Sequence, residues 1–96
     1  MPAFVITEVD WHDEEKAKEY RVLFGPALEK YGGRTMAVGA PDVLEGGWKP
    51  SRLVLLEFPT MDAVREWYAS PEYAPVMRLR RDGAKTNMVA LDRPTG

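Results

Sequence analysis

The sequence predicts an α+β domain with the element order βαββαβ and an antiparallel four-stranded sheet. Two observations carry this prediction. Segments in which apolar residues alternate every second position are interspersed with segments in which they recur every three or four positions. Glycine and proline also mark the boundaries between these segments. A chain of 96 residues is the size of one domain, so we assign residues 1–96 to a single unit.

The predicted strands cover residues 3–11, 34–39, 52–58 and 86–92. The first and third are apolar on both alternating faces, as expected for strands at the centre of a sheet. In the first strand, Phe4, Ile6 and Glu8 share one face, and Val5 and Val9 share the other. One of these two faces should be covered by helices.

The predicted helices lie between the strands. The first covers residues 13–31: acidic residues favour its start, and Gly32-Gly33 favours its end. We expect Gly25-Pro26 to kink or split this helix, because proline lacks a backbone donor. Thr60 predicts the N-cap of a second helix, and Ser70-Pro71 predicts the start of a third.

This order is the split-βαβ, ferredoxin-like plan, with helices on only one face of the sheet. Right-handed crossovers lead us to expect the first and third strands side by side and parallel at the centre. The other sheet face remains apolar, and an exposed apolar face of this size marks an interface. We therefore predict a homodimer packed sheet against sheet, a dimeric α/β barrel.

Composition limits the function classes. A net charge of −2 gives no broad basic field, which argues against nucleic-acid partners. No apolar run reaches the roughly 18 residues of a membrane span, so no membrane partner is predicted. The lack of cysteine excludes disulfides and thiolate metal sites and suits the cytoplasm. His12 is the only histidine, so neither a metal site nor a cofactor is predicted.

Four motifs together carry a resemblance to a known family: Tyr31-Gly32-Gly33-Arg34, Val43-Leu44-Glu45-Gly46, Leu56-Glu57-Phe58-Pro59 and the run from Trp67 to Tyr73. In order and spacing the chain resembles the bacterial domain-of-unknown-function family 1330 of the dimeric α+β-barrel superfamily. The resemblance implies a ferredoxin-like protomer and a homodimer. It implies no catalytic residues, because none are established for the family. Other branches of the superfamily include cofactor-independent monooxygenases, muconolactone isomerases and haem enzymes.

Glu8 and Glu57 are the candidate catalytic pair. If the central strands are parallel, both carboxylates stand near one sheet edge, and their pKa values could separate into an acid and a base. The alternative is that they pair with arginines such as Arg34 or Arg52, or reach solvent. Arg34 could clamp a substrate carboxylate, or form a salt bridge to one of these acids.

Aromatic residues form the second candidate group. Tyr20, Tyr68 and Tyr73 could line a substrate pocket between helices and sheet, together with Trp67. At helical spacing, Tyr20 and Trp67 fit the core equally well, with polar groups bonded to backbone. The sequence thus predicts an uncharacterised homodimer, in the first hypothesis a cofactor-independent oxygenase or isomerase acting on a small aromatic or acidic metabolite. The alternatives are a non-catalytic ligand-binding or stress-related dimer, and a purely structural assembly with a filled cavity.

Overall fold

The computed structural model describes residues 2–93, and its elements follow the predicted order. They are β1 (Ala3–Trp11), α1 (Glu14–Lys30), β2 (Arg34–Gly39), β3 (Leu53–Phe58), α2 (Met61–Tyr68), α3 (Ala74–Gly83) and β4 (Ala84–Asp92). The α+β class and the four-stranded sheet are thereby confirmed. No helix within residues 2–93 is long and apolar enough to cross a membrane.

The sheet has the strand order β2-β3-β1-β4, and every neighbouring pair is antiparallel. The prediction that the first and third strands are parallel was wrong. The right-handed crossover makes β1 parallel to β2, and the loop after β2 reverses the chain into β3. Because β3 inserts between β1 and β2, it runs against both.

The two faces of the sheet differ in what covers them. Ala3, Val5, Thr7 and Val9 of β1 are buried beneath the helices. The residues between them point to the other side, which we call the open face. Cross-strand register places the following residues on the open face: Phe4, Ile6, Glu8, Leu53, Leu55, Glu57, Asn87, Val89 and Leu91. The side chains of Val89 and Leu91 are 61% and 57% exposed.

Trp67 is the centre of the core. Its side chain is fully buried, with ring centroids 4.3 Å from Tyr73, 5.1 Å from Phe58 and 6.5 Å from Phe24. These rings come from α1, from β3 and from the joint between α2 and α3. Trp67 therefore ties the joint to the sheet, as its place at helical spacing predicts.

Local sequence chemistry sets the ends of α1. The Asp13 carboxylate accepts hydrogen bonds from the backbone N–H groups of Glu15 and Lys16, both at 3.1 Å. These bonds, that of Lys16 foremost, lower the pKa of Asp13. Gly32 follows the helix with φ +78°, the left-handed conformation that glycine tolerates. Gly25-Pro26 does not split the helix, since α1 is continuous through Pro26.

Ser70 organises the joint between α2 and α3. Its hydroxyl donates to the Trp67 carbonyl at 2.7 Å and accepts from the Tyr73 N–H at 3.1 Å. The predicted helix start at Ser70-Pro71 was too early, since residues 71–73 form turns, the N-cap of α3 is Tyr73 without a side-chain capping bond, and α3 begins at Ala74. Pro75 lies within the first two positions of α3, where a helix tolerates proline.

The junction between α3 and β4 contains no loop, because Gly83 ends the helix and Ala84 starts the strand. The Gly83 carbonyl accepts from the N–H groups of His12 and Asp13, at 2.9 and 3.2 Å. A Cβ at this glycine would come within 2.9 Å of Lys16 Cβ. Backbone hydrogen bonds therefore join the end of β1 to the start of β4, and there is no room for a side chain at Gly83.

Glu72 connects the joint to the end of α1. Its carboxylate accepts from Lys30 Nζ at 2.7 Å and from the Tyr31 hydroxyl at 2.6 Å. The hydrogen bond from Lys30, followed by that from Tyr31, lowers the pKa of Glu72 from 4.5 to about 2. The ionised carboxylate therefore stabilises the folded state.

This contribution should depend on pH. Because the folded pKa is depressed, the stabilisation is complete above about pH 4.5 and is lost as the pH falls towards 2. We expect Glu72→Gln to have a lower melting temperature than the wild type above pH 5. This difference in melting temperature should shrink as the pH falls from about 4.5 towards 2, because the wild-type carboxylate then loses its charge. Thermal unfolding followed by circular dichroism at pH 2–7 tests this. Asp62→Asn, which removes an exposed carboxylate 3.2 Å from Arg65, is the matched control. A constant difference at every pH would contradict the prediction.

Candidate functional site

A cavity of about 200 Å³ lies between α1 and the helix-facing side of the sheet. The side chains of Tyr20, Arg21 and Phe24 form its α1 side. All four strands, α1 and α3 contribute to its wall. The lining residues are Thr7, Val9, Trp11, Tyr20, Arg21, Phe24, Thr35, Val38, Arg52, Val54, Leu56, Arg80 and Met88.

Aromatic rings form one side of this cavity. The Tyr20 ring lies 5.2 Å from both Trp11 and Phe24, and its interplanar angle with Phe24 is 25°. The Tyr20 hydroxyl lies 3.5 Å from that of Tyr73, at the outer limit of a hydrogen bond. Burial, followed by the neighbouring Tyr73, raises the pKa of Tyr20. Tyr20 is therefore protonated at neutral pH and can donate a hydrogen bond but cannot serve as a base.

Arg80 is the unusual polar residue of the cavity. It is only 5% exposed, and its Nε has no hydrogen-bond partner among the described residues. Within residues 2–93, no carboxylate forms an ion pair with it. Burial lowers the pKa of Arg80, but the nearby hydroxyls of Tyr73 and Tyr20 outweigh that effect, and the net shift is upward. A buried cation without an acidic partner is costly, so this site favours an anion.

The charges around the cavity have one sign. Arg21 and Arg52 line it together with Arg80, and the lining set contains neither an acidic residue nor a histidine. Arginine forms paired hydrogen bonds with carboxylates and other oxyanions. The cavity thus combines an aromatic wall, cationic groups and the buried hydroxyl-bearing side chain of Thr7.

Of the residues predicted to form a site, the structure brings together Tyr20 and Tyr73. Tyr20 lines the cavity, and Tyr73 lies behind it with its side chain fully buried. Tyr68 packs near Tyr73, with ring centroids 6.2 Å apart, but it is 40% exposed and outside the cavity wall. It lines two other pockets, one beside α2 and one where α3 meets β4.

Glu8 and Glu57 do not meet. Both lie on the open face, as the alternation of their strands predicts. Glu57 is opposite Phe4 in the register, whereas Glu8 is opposite Leu53. The two acids are therefore separated by four positions, about 13 Å along the strands. Their expected proximity depended on parallel strands, and their expected place in the helix–sheet pocket is wrong because they point away from it.

Each acid of the open face has its own partners. Glu57 accepts from Arg34 Nε at 2.7 Å and from its NH2 group at 2.6 Å, so the salt-bridge alternative for Arg34 is the one observed. Glu8 accepts from Asn87 at 3.0 Å and from the Trp48 indole at 3.3 Å. Both carboxylates are therefore paired with other groups of the same protomer.

Sequence reasoning missed Arg80 and Thr7. Arg80 lies beside Arg78 and Arg81 in the sequence, and a cluster of charges near a helix end normally faces water. The signal was present, because Tyr73, Val76 and Arg80 follow one another at three- and four-residue spacing and so share the buried side of α3. Thr7 follows the buried alternation of β1 in the same way. His12 is exposed and lies outside the cavity wall. Within residues 2–93, no group of three or more His, Cys, Asp or Glu could hold a metal ion.

Comparison with known proteins places the chain in a family. The profile of the domain of unknown function DUF1330 matches residues 2–94. The chain belongs to the DUF1330 family. This confirms the resemblance carried by the sequence motifs. A comparison of this DUF1330 protein with curated proteins gives no significant match.

Solved structures with the same fold include proteins of known and unknown function. A protein of unknown function from Rhodopseudomonas palustris superposes with a TM-score of 0.78 at 18% identity, covering 99% of this chain and 84% of that one. A dimeric ferredoxin-like protein of unknown function from Jannaschia sp. gives 0.74 at 10% identity, covering 97% and 100%. SnoaB from Streptomyces nogalater, a cofactor-independent oxygenase, gives 0.70 at 10% identity, covering 99% and 95%. At these identities the comparison establishes the ferredoxin-like fold of the DUF1330 protein.

Proposed function

We propose that this DUF1330 protein binds a small aromatic acid in the helix–sheet cavity and oxygenates it without a cofactor. The observation that carries the proposal is the buried guanidinium of Arg80, which lies beside an aromatic wall and has no acidic partner among residues 2–93. An apolar cavity with a few convergent polar groups is the usual form of a small-molecule site. The ligand's carboxylate or phenolate would accept from Arg80, and its ring would lie against Tyr20 and Phe24.

The polar groups of the cavity favour oxygenation over isomerisation. Isomerisation by proton transfer needs a base, and the lining residues include no Asp, Glu or His. Oxygenation can proceed if the substrate itself ionises to a phenolate or enolate. Arg80 would stabilise that anion, and the protonated Tyr20 hydroxyl would donate to it.

The substrate would supply every electron in such a reaction. The carbanion form of an activated CH₂ group attacks O₂ to form a C–O bond, and protonation gives a hydroperoxide. Loss of water then leaves a carbonyl, so one oxygen atom enters the product and the other leaves as water. SnoaB, which shares the fold, is a cofactor-independent oxygenase, and this supports the chemistry by analogy of fold alone.

Ligand binding can be tested with benzoate and its uncharged counterpart benzyl alcohol. We expect benzoate to bind at least about tenfold more tightly, because a hydrogen bond to a charged group contributes roughly 1.5–3 kcal/mol. Nuclear magnetic resonance titration reports both the affinity of each probe and the residues beside which it binds. The Trp11 indole and the Arg80 Nε–H signals should shift. Equal affinity for the two probes, or shifts confined to the open face, would contradict the proposed site.

Catalysis is tested separately by oxygen uptake with ionisable phenols and enols in the absence of added cofactor. Label from ¹⁸O₂ should divide equally between product and water. Benzoate binding without oxygen uptake would favour the second candidate, a non-catalytic binding protein. The specific observation behind that candidate is the lack of an acidic residue or histidine in the cavity wall.

We further propose that the protein is a homodimer in which two open faces pack together. The half-buried Phe4 and Ile6 and the exposed Val89 and Leu91 would be covered in this way. The Jannaschia protein of the same fold is described as dimeric, which supports the proposal. Light scattering at micromolar concentration tests it, and a monomer would refute it. The cytoplasmic location stays a prediction from the sequence.

A further inference from the structure

A second pocket lies on the opposite side of Arg80 from the cavity, where α3 runs into β4. We call it the α3–β4 pocket. It has a volume of about 340 Å³, and its lining residues are Tyr68, Arg80, Arg81, Ala84, Thr86 and Met88. Of these, only Arg80 and Met88 also line the cavity. The α3–β4 pocket is therefore a distinct feature separated from the cavity by these two side chains.

Two residues that line this pocket each carry a buried polar atom without a hydrogen-bond partner among the described residues. One is Nε of Arg80, and the other is Oγ1 of Thr86. Leaving a buried donor unpaired destabilises the folded state, and more so when the group is charged. A ligand that accepts hydrogen bonds from both would remove this cost.

The other polar groups of the pocket are also donors or cationic. Arg81 donates from NH2 to the Tyr68 hydroxyl at 3.3 Å, and Arg81 is exposed enough to turn towards a ligand. No acidic residue lines the pocket, and the nearby Asp82 is exposed and outside its wall. Two guanidinium groups and two hydroxyls without a carboxylate are the makeup of a site for an anion.

We propose that the α3–β4 pocket binds an oxyanion, a phosphate or carboxylate group, between Arg80 and Arg81. The anion accepts from the Arg80 Nε–H and the Thr86 hydroxyl inside the pocket and from Arg81 at its mouth. Arg80 borders both sites, but the inference can be tested apart from the proposed oxygenase function because Arg81 and Thr86 do not line the cavity.

The test is a titration of the full-length protein with inorganic phosphate and, separately, with acetate. Nuclear magnetic resonance follows the Arg80 and Arg81 Nε–H signals and the Thr86 amide. We expect saturable shifts at these positions. The tighter of the two probes identifies the anion as a phosphoryl or a carboxylate group. Arg81→Gln should weaken the binding of that probe about tenfold or more, and Thr86→Val should weaken it severalfold.

The matched control is Arg78→Gln, which removes an exposed arginine of the same helix that does not line the pocket. Equal weakening by Arg78→Gln and Arg81→Gln would mean that the anion is attracted by the overall positive charge of α3 and not by a defined site. That result would overturn the proposal. So would the lack of saturable shifts with both probes. Arg81→Gln and Thr86→Val should leave benzoate binding in the cavity unchanged, which separates failure of this proposal from failure of the proposed function.

Discussion

Replacing Arg80 by methionine should weaken benzoate binding about 10- to 100-fold while the protein stays folded. The expected loss corresponds to one hydrogen bond with a charged group in a site removed from water. Arg80 is 5% exposed, whereas Arg21 and Arg52, which also line the cavity, are exposed to solvent and are therefore more strongly screened. Isothermal titration calorimetry with the wild type and the variant measures the effect.

The fold should survive this change, because no carboxylate within residues 2–93 forms an ion pair with Arg80. Removing one member of a buried ion pair is strongly destabilising, since it leaves the other charge unpaired. Here the variant removes a buried charge and keeps a long side chain of similar reach. We therefore expect the free energy of unfolding to stay the same or rise.

Arg78→Met is the control for this experiment, since it removes an exposed arginine two positions earlier on α3. It should leave benzoate affinity within about twofold of the wild type, because an exposed charge outside the site is screened. Unchanged affinity in Arg80→Met, with the fold intact, would remove Arg80 from the site and with it the main support for an acidic ligand.

Replacing Trp67 by alanine should destabilise the domain by about 3–5 kcal/mol, the usual cost of truncating a large buried aromatic residue. Trp67 is fully buried and packs within 6.5 Å of four other rings, those of Phe24, Phe58, Tyr68 and Tyr73. Domains of this size have total stabilities of roughly 5–15 kcal/mol, so much of the margin disappears. Urea unfolding followed by circular dichroism measures the change.

Two further variants separate packing from the indole N–H. Trp48→Ala removes a tryptophan that is 61% exposed, and its effect should stay within about 0.5 kcal/mol. Trp67→Phe keeps a ring in the core and removes Nε1, which has no partner among the described residues, so it should cost less than Trp67→Ala. Equal losses for Trp67→Ala and Trp48→Ala would contradict the central role of Trp67.

Features fixed by neighbouring residues could be predicted from the sequence. The acidic start of α1, the left-handed Gly32 and the turn at Ser70 each involve residues within five positions of one another, and all were found close to where the pattern places them. The predicted relative direction of β1 and β3 was wrong. That direction depends on two successive connections, α1 between β1 and β2 and the loop between β2 and β3. Apolar alternation along a strand is the same in either direction, so it gives no warning of the error.

The candidate site was only partly predictable for a related reason. The aromatic pair Tyr20 and Tyr73 followed from helical spacing, but the cavity itself depends on how far α1 stands from the sheet. Arg80 was hidden by the adjacent Arg78 and Arg81, since a cluster of charges near a helix end normally faces water. Identifying the buried arginine among them requires knowing, to within one residue, which face of α3 points towards the core.

Because α3 ends at Gly83 and β4 begins at Ala84, the number of residues at this junction determines which side chains of β4 face the helices. An inserted residue there would rotate β4 by one position and exchange its two faces. Thr86 and Met88 would then join the surface opposite the helices, and Val89 would enter the interior. The stretch between β2 and β3 has no such constraint, because residues 40–52 form a loop. Length variation among DUF1330 chains should therefore concentrate in that loop and be absent where α3 meets β4.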